Sequence, residues 1–123
     1  MKRFPMVLGA ALAALSLSAW AHGDAKPTHG GTVQVASDVA YELVPQPNGA
    51  AIYVVDHDKP ADAVAMSGKL TVLTGGQKAE AELRPAGGNK LEASNVRVGS
   101  GSKVVASIKG ADGKTTNVRF SVK

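Results

Sequence analysis

Apolar and polar residues alternate along most of the chain from Thr32 onward, and turn-forming residues interrupt the alternation at short intervals. In residues 77–84, charged or polar side chains at every second position alternate with alanine and leucine. A period of two places successive side chains on opposite faces of a β-strand, whereas an amphipathic helix needs apolar residues every three or four positions. Gly75-Gly76 and residues 110–113 are strong hairpin turns. The pattern therefore predicts an all-β domain over residues 32–123.

About seven or eight short strands are predicted. They cover residues 32–36, 39–44, 50–56, 69–74, 77–84, 90–94, 103–109 and 116–122, the first two being separate strands or one bent strand. This count favours an antiparallel two-sheet sandwich of immunoglobulin-like type, with a small barrel as the alternative. The alternation places Glu42 on the face opposite Tyr41 and Leu43.

Two connections are predicted from their composition. Residues 45–49 are expected to form a turn, because they contain two prolines, which cannot donate a ladder hydrogen bond, followed by Asn-Gly. Residues 56–68 form the longest polar connection of the domain and are expected to include one helical turn after Pro60.

The first 21 residues have the organisation of a secretory signal peptide. Lys2 and Arg3 precede an apolar run over residues 4–17, and Ala19 and Ala21 form the pattern that signal peptidase cuts. The apolar run is shorter than the roughly 20 residues of a membrane-spanning helix, although an uncleaved anchor is the alternative. We therefore expect export to the bacterial periplasm, with no membrane insertion after cleavage.

The composition of the chain excludes several kinds of chemistry. The chain has no cysteine, so disulfides, thiolate metal sites and cysteine nucleophiles are ruled out. Removing Lys2 and Arg3 lowers the formal charge from +4 to about +2. The remaining basic residues are spread singly, which gives no support to nucleic-acid binding. No Gly-x-Ser-x-Gly motif or phosphate-binding loop is present, and we predict that the protein is not an enzyme.

Residues 22–31 contain two of the three histidines and are predicted to be a flexible N-terminal segment. Cleavage after Ala21 would give His22 a free α-amine beside its imidazole, which together form a bidentate ligand set suited to Cu(II). His29 lies seven residues further on, before Gly30-Gly31, where the chain can turn back. The alternative is that both histidines are solvated on a mobile terminus and bind metal only incidentally.

Asp56, His57 and Asp58 form a second candidate site at the end of a predicted strand. Oxygen and nitrogen ligands of this kind suit Zn(II) or Cu(II) if a turn gathers them. The alternative is an ordinary polar turn in which an aspartate caps the backbone. Met66, the one methionine after the leader, is expected to fill space in the core.

Several short motifs resemble a known group of proteins. They are Thr28-His-Gly-Gly31, Tyr41-Glu-Leu-Val44, Ile52-Tyr-Val-Val55 followed by Asp56, and Leu83-x-Pro85-x-Gly-Gly-Asn89-x-Leu91. The chain resembles small periplasmic proteins found with heavy-metal efflux systems, and the HGG-containing accessory domain of some periplasmic adaptor subunits of those pumps. The resemblance implies that His29 is the motif histidine and that the domain carries or senses copper or zinc. Richer members have a dense run of histidines at this position, which this chain lacks.

A weaker similarity is to periplasmic copper carriers built on a β-sandwich, whose N-terminal histidine chelates Cu(II) with a later aspartate and histidine. His22 with Asp56 and His57 would correspond to that set. The sequence therefore predicts non-catalytic binding of copper or zinc, with His22, His29, Asp56, His57 and Asp58 as candidate ligands and an efflux adaptor as a candidate partner. The alternative is an interaction module that docks on an adaptor or other envelope protein without a metal.

Overall fold

A computed structural model describes residues 26–123 of the chain, and the predicted signal peptide and His22 lie outside this range. The described residues form nine β-strands and one short 3₁₀ turn, and they contain no α-helix. The all-β prediction is therefore confirmed. The strands are β1 Thr32–Ala36, β2 Val39–Gln46, β3 Gly49–Asp56, β4 Lys59–Pro60, β5 Ser67–Thr74, β6 Gln77–Pro85, β7 Lys90–Ser94, β8 Lys103–Lys109 and β9 Thr115–Ser121.

The strands form a nearly closed antiparallel sheet. Hydrogen bonds connect them in the order β1-β2-β3-β7-β6-β5-β8-β9, with β4 added beside β3. The first and last strands of this order, β1 and β9, lie against each other. The strand β6 joins the two halves, because its residues 77–83 pair with β5 whereas Arg84 and Pro85 pair with β7. The more specific prediction of an immunoglobulin-like sandwich of two separate sheets is not confirmed.

The local turn signals predicted the hairpins well. Gly75-Gly76 joins β5 to β6, and both glycines have positive φ. Strand β8 has the predicted bounds, and β9 differs from its prediction by one residue at each end. The helical turn expected after Pro60 is present as the 3₁₀ turn Ala63–Ala65, which the Asp62 side chain caps by accepting a hydrogen bond from the backbone N–H of Val64.

The turn predicted over residues 45–49 is wrong in its extent. Pro45 and Gln46 belong to β2, where they pair with Ala50 and Gly49, and only Pro47 and Asn48 form the turn. A proline is tolerated at this end of β2 because β1 pairs only as far as Leu43. One side of the strand therefore has no neighbour that would need a donor from Pro45.

One hydrophobic core fills the interior. It contains residues from both halves of the strand order, including the fully buried Leu43 and Ile52 from one half and Leu70 and Val104 from the other. Val96 and Val98 lie outside the strands and are nevertheless buried. Among residues 26–123, no helix has the length and apolar character needed to cross a membrane.

Candidate functional site

The segment Thr28–Gly31 encloses the carboxylate of Glu42 on β2. The backbone N–H groups of Thr28, His29 and Gly31 donate hydrogen bonds to it at 3.1, 2.8 and 2.8 Å. The Thr28 hydroxyl donates a fourth at 3.3 Å, and Nδ1 of His29 lies 3.0 Å from Oε1. Five groups from three residues of this segment thus converge on one carboxylate, and Glu42 is only 5% exposed. A buried carboxylate is stable only when it is hydrogen-bonded in this way.

These contacts also fix the charge of Glu42 and the tautomer of His29. Burial alone would raise the pKa of Glu42, but hydrogen bonds from the His29 side chain and from the backbone N–H groups of Gly31, His29 and Thr28 lower it below its ordinary value. An ionised carboxylate only accepts hydrogen bonds, so Nδ1 of His29 must carry the proton that is shared with it. In the neutral ring, the lone pair is then on Nε2.

The ring of His29 lies flat on Tyr53. The two ring centroids are 3.6 Å apart and the rings are within 6° of parallel. Tyr53 is the direct neighbour of Glu42 across the β2–β3 pairing, and Lys90 is the neighbour of Tyr53 on β7, with its Nζ 6.0 Å from the Tyr53 ring centroid. This row, Glu42–Tyr53–Lys90, lies on the face of the sheet opposite Leu43 and Ile52. The side chain of His29 remains 41% exposed, and its Nε2 makes no hydrogen bond to any residue in the range 26–123.

The two glycines after His29 serve different purposes. Gly30 has a φ of +74°, which a residue with a side chain adopts only at a cost, and the space around it is open. At Gly31, a Cβ would overlap the backbone carbonyl oxygen of Leu43 and lie 2.9 Å from Cγ2 of Val44. The first glycine therefore allows the turn, and the second allows the backbone to approach β2 closely enough for its N–H to reach Glu42.

The second candidate site is the two-residue turn between β3 and β4. His57 and Asp58 occupy it with φ values of 52° and 68°, as in the hairpin turns that favour Asn-Gly or Asp-Gly. Nδ1 of His57 hydrogen-bonds the Asp56 carboxylate, and both side chains are largely exposed. The hydrogen bond and the charge of Asp56 raise the pKa of His57, and Asp38 and Asp58 add to the effect. A metal would therefore compete with a proton for this ring.

His29 hydrogen-bonds Glu42 and stacks on Tyr53, and His57 hydrogen-bonds Asp56. Asp58 shares the turn with His57, while His22 lies outside the described residues. Within residues 26–123, no three or more His, Asp or Glu side chains form a group suited to hold a metal ion. Of the predicted ligands within residues 26–123, His29 is held most firmly, because hydrogen bonds to Glu42 and stacking on Tyr53 fix its backbone and its ring.

Sequence reasoning did not identify Glu42 and Tyr53 as parts of the site. The alternation correctly placed Glu42 on the outer face, where a charged residue normally faces solvent, so nothing local marked it as buried. Its partners lie 11–14 residues earlier in the chain. The one available signal was the loop itself, because a glycine-rich turn exposes N–H groups that need an acceptor.

The chain matches no protein-family model, no curated protein and no solved structure. The resemblance to the HGG-containing accessory domain therefore stays a prediction based on the short motifs alone.

Proposed function

We propose that this protein binds a divalent transition metal, copper or zinc, in the periplasm and serves metal homeostasis or efflux without catalysis. The observation that carries the proposal is the hydrogen bond between Nδ1 of His29 and Glu42 at 3.0 Å. Histidines that ligate a metal commonly donate their other ring N–H to a carboxylate, which orients the ring and makes it a better ligand. His29 has this arrangement, and its Nε2 is the nitrogen left to bind.

A single imidazole does not make a high-affinity site, so further ligands are needed. The best candidates are the α-amine and imidazole of His22, in a chain that starts there after signal-peptide cleavage. Six residues separate the two histidines, and a chain segment of this length can fold back to bring them together. Nitrogen donors of this kind suit copper and zinc. The bound ion would be cargo or a signal, and no reaction step is assigned to it.

Calorimetric titration with Cu(II) and with Zn(II) tests the role of His29. We expect H29A to bind at least about tenfold more weakly than the wild-type protein, the scale on which loss of even a ligand's supporting partner weakens a metal site. H57A is the matched control, since His57 also hydrogen-bonds a carboxylate through Nδ1 but is exposed and has no stacking partner. Equal affinities for H29A and the wild type would overturn the proposal and favour a docking module without a metal.

A second comparison tests whether the α-amine of His22 is a metal ligand. One alanine inserted before His22 leaves every side chain in place but removes the amine from that residue. We expect Cu(II) affinity to fall in this variant by a factor similar to that of H29A. Full affinity in the extended chain, together with a loss in H29A, would show a site built on His29 without the terminus.

A further inference from the structure

A cleft opens at one end of the sheet, on the face opposite the row Glu42–Tyr53–Lys90, since it is lined by Tyr41 and Val54, the chain neighbours of Glu42 and Tyr53. Three connections surround it: the β1–β2 turn at Ser37, the end of β3 at Asp56 just before the β3–β4 turn, and the β8–β9 turn over residues 110–114. Its volume is about 530 Å³. Sites for small molecules in proteins are clefts of roughly 300–1,000 Å³ and often lie at the mouths of barrels.

The floor of the cleft is the end of the hydrophobic core. Val54 and Ile108 are buried, and Val39, Ala61 and Met66 are partly buried residues that pack against the core. The lining at this depth is aliphatic apart from the thioether of Met66, a flexible side chain that adapts to different shapes. An apolar group of several carbons would therefore gain contact area here.

Polar groups from three strands meet above this floor. Tyr41 of β2 is 6% exposed, Thr116 belongs to β9, and Asp56 is the last residue of β3. Burial raises the pKa of Tyr41, the nearby Thr116 side chain opposes the increase, and the negative charge of Asp56 adds to it. The Tyr41 hydroxyl is therefore protonated at neutral pH, and Thr116 and Asp56 are both close enough to affect its pKa.

The charges that line the cleft favour a cation over an anion. Asp56 and Asp112 contribute two carboxylates, and Lys114 contributes one ammonium group. Among residues 26–123, Lys114 makes no ion pair with either aspartate. Each aspartate uses Oδ1 in a hydrogen bond, to His57 or to the backbone N–H of Lys114, so that Oδ2 is left to accept another. Asp38 and Asp58 in the neighbouring turns add two carboxylates, whereas Lys59, the strand partner of Asp56, and the ring of His57, which hydrogen-bonds Asp56, add basic groups. The four carboxylates Asp38, Asp56, Asp58 and Asp112 still outnumber the three basic groups Lys59, Lys114 and His57.

We propose that this cleft binds a small organic amine with an apolar chain or ring, whose ammonium group is held by Asp56 and whose carbon body lies on the floor formed by Val39, Val54 and Ile108. Among the described residues, no group of three or more His, Asp or Glu side chains could hold a metal ion, and the floor of the cleft contains one sulfur atom, that of Met66. A carboxylate ligand would meet Asp56 and Asp112 with like charge. The site is separate from His29 and does not depend on metal binding.

Titration of the ¹⁵N-labelled protein, monitored by amide NMR spectra, tests the proposal with three probes of equal chain length. We expect hexylammonium to cause saturable shifts at residues 37–41, 54–56 and 108–116, hexan-1-ol to bind more weakly at the same place, and hexanoate to bind most weakly. Equal affinity for hexylammonium and hexan-1-ol would overturn the assignment of an amine. The absence of saturable shifts in these residues with hexylammonium would overturn the site.

A pair of variants locates the charge contact. D56N should bind hexylammonium about tenfold more weakly, because a charge-assisted hydrogen bond becomes a neutral one. D58N removes the same charge from the same turn, but Asp58 does not line the cleft. D58N should therefore change the affinity by less than about twofold, the scale of a screened surface charge. Equal losses in the two variants would mean general electrostatic attraction and would overturn the direct contact. The amide spectrum of each variant reports whether the fold is intact.

Discussion

Glu42 makes the N-terminal loop part of the fold. Its carboxylate is removed from water, and the hydrogen bonds from Thr28, His29 and Gly31 replace the water that it has lost. These bonds exist only when the loop is in place, and the loop has no other polar anchor of comparable burial among residues 26–123. A single side chain thus holds both the backbone and the ring of the proposed metal ligand.

The lowered pKa of Glu42 predicts how stability depends on pH. A carboxyl whose pKa is lower in the folded state than in the unfolded chain contributes stability above its unfolded pKa, and this stability is lost as the pH falls through the folded pKa. The ordinary pKa of a glutamate is 4.5, so this loss begins as the pH falls below about 5. Urea unfolding of the wild-type protein should therefore show a midpoint that decreases as the pH falls below 5.

E42Q should remove this component of the pH dependence and cost about 2 kcal/mol at pH 7, because one oxygen becomes a neutral acceptor and the other becomes an NH2 donor that faces N–H groups. E80Q is the matched control, since Glu80 is exposed and makes only long surface ion pairs at 3.7 and 3.8 Å. If E42Q and E80Q have the same pH profile, the carboxylate of Glu42 does not hold the loop.

At the scale of structural elements, the motif His29-Gly30-Gly31 leads the chain into β1, and each of its three residues meets a different structural requirement. His29 supplies a ring and an N–H, Gly30 supplies a positive φ, and Gly31 supplies a close approach to β2. The sequence could predict the turn and the possible role of the histidine. It could not predict the close approach, because this depends on how β2 lies against the loop, which no local pattern encodes.

The two glycines should respond differently to alanine. G30A should cost about 1–2 kcal/mol, the penalty for a left-handed conformation in open space. G31A should cost more, about 3 kcal/mol, because its Cβ pushes the loop away from Leu43 and Val44 and also weakens the hydrogen bond to Glu42. Chemical denaturation of both variants measures the difference, with G30N as a control that tolerates positive φ. A larger loss in G30A than in G31A would contradict the assigned roles.

The contrast between local sequence signals and contacts of distant residues also explains which strands the sequence predicts well. Local signals, namely alternation and glycine turns, define β5, β6 and β8, because hairpins are formed by residues that are close in sequence. Pro45 was misassigned because its tolerance in β2 depends on where β1 ends. His57 and Asp58 form a tight turn with positive φ at both positions. The alternative prediction of an ordinary polar turn includes a turn here but does not specify this backbone conformation.

At the scale of the whole molecule, the order of the strands could not be read from the sequence. The pairing of β3 with β7 brings together residues about 40 positions apart, and β5 pairs with β8 across a similar separation. Whether the strands form two separate sheets or one nearly closed sheet depends on where β6 stops pairing with β5 and begins to pair with β7. This change of partner occurs at Arg84. The strand continues through Arg84 to Pro85 without interruption, so no turn separates the part of β6 that pairs with β5 from the part that pairs with β7.

A shared core predicts that the two halves unfold together. Leu43 on β2 and Leu70 on β5 lie in different halves of the strand order, and both are fully buried in the same cluster. L43A and L70A should each cost about 2–5 kcal/mol, the range for a buried leucine replaced by alanine. Each should move one cooperative transition, recorded alike by tyrosine fluorescence from Tyr41 and Tyr53 and by far-ultraviolet circular dichroism of the whole sheet. If L70A shifted the circular dichroism transition and left the fluorescence transition in place, the half that carries both tyrosines would be an independent unit. The short β6–β7 pairing would then be a boundary between two units, and the row Glu42–Tyr53–Lys90 would keep its geometry without β5, β8 and β9.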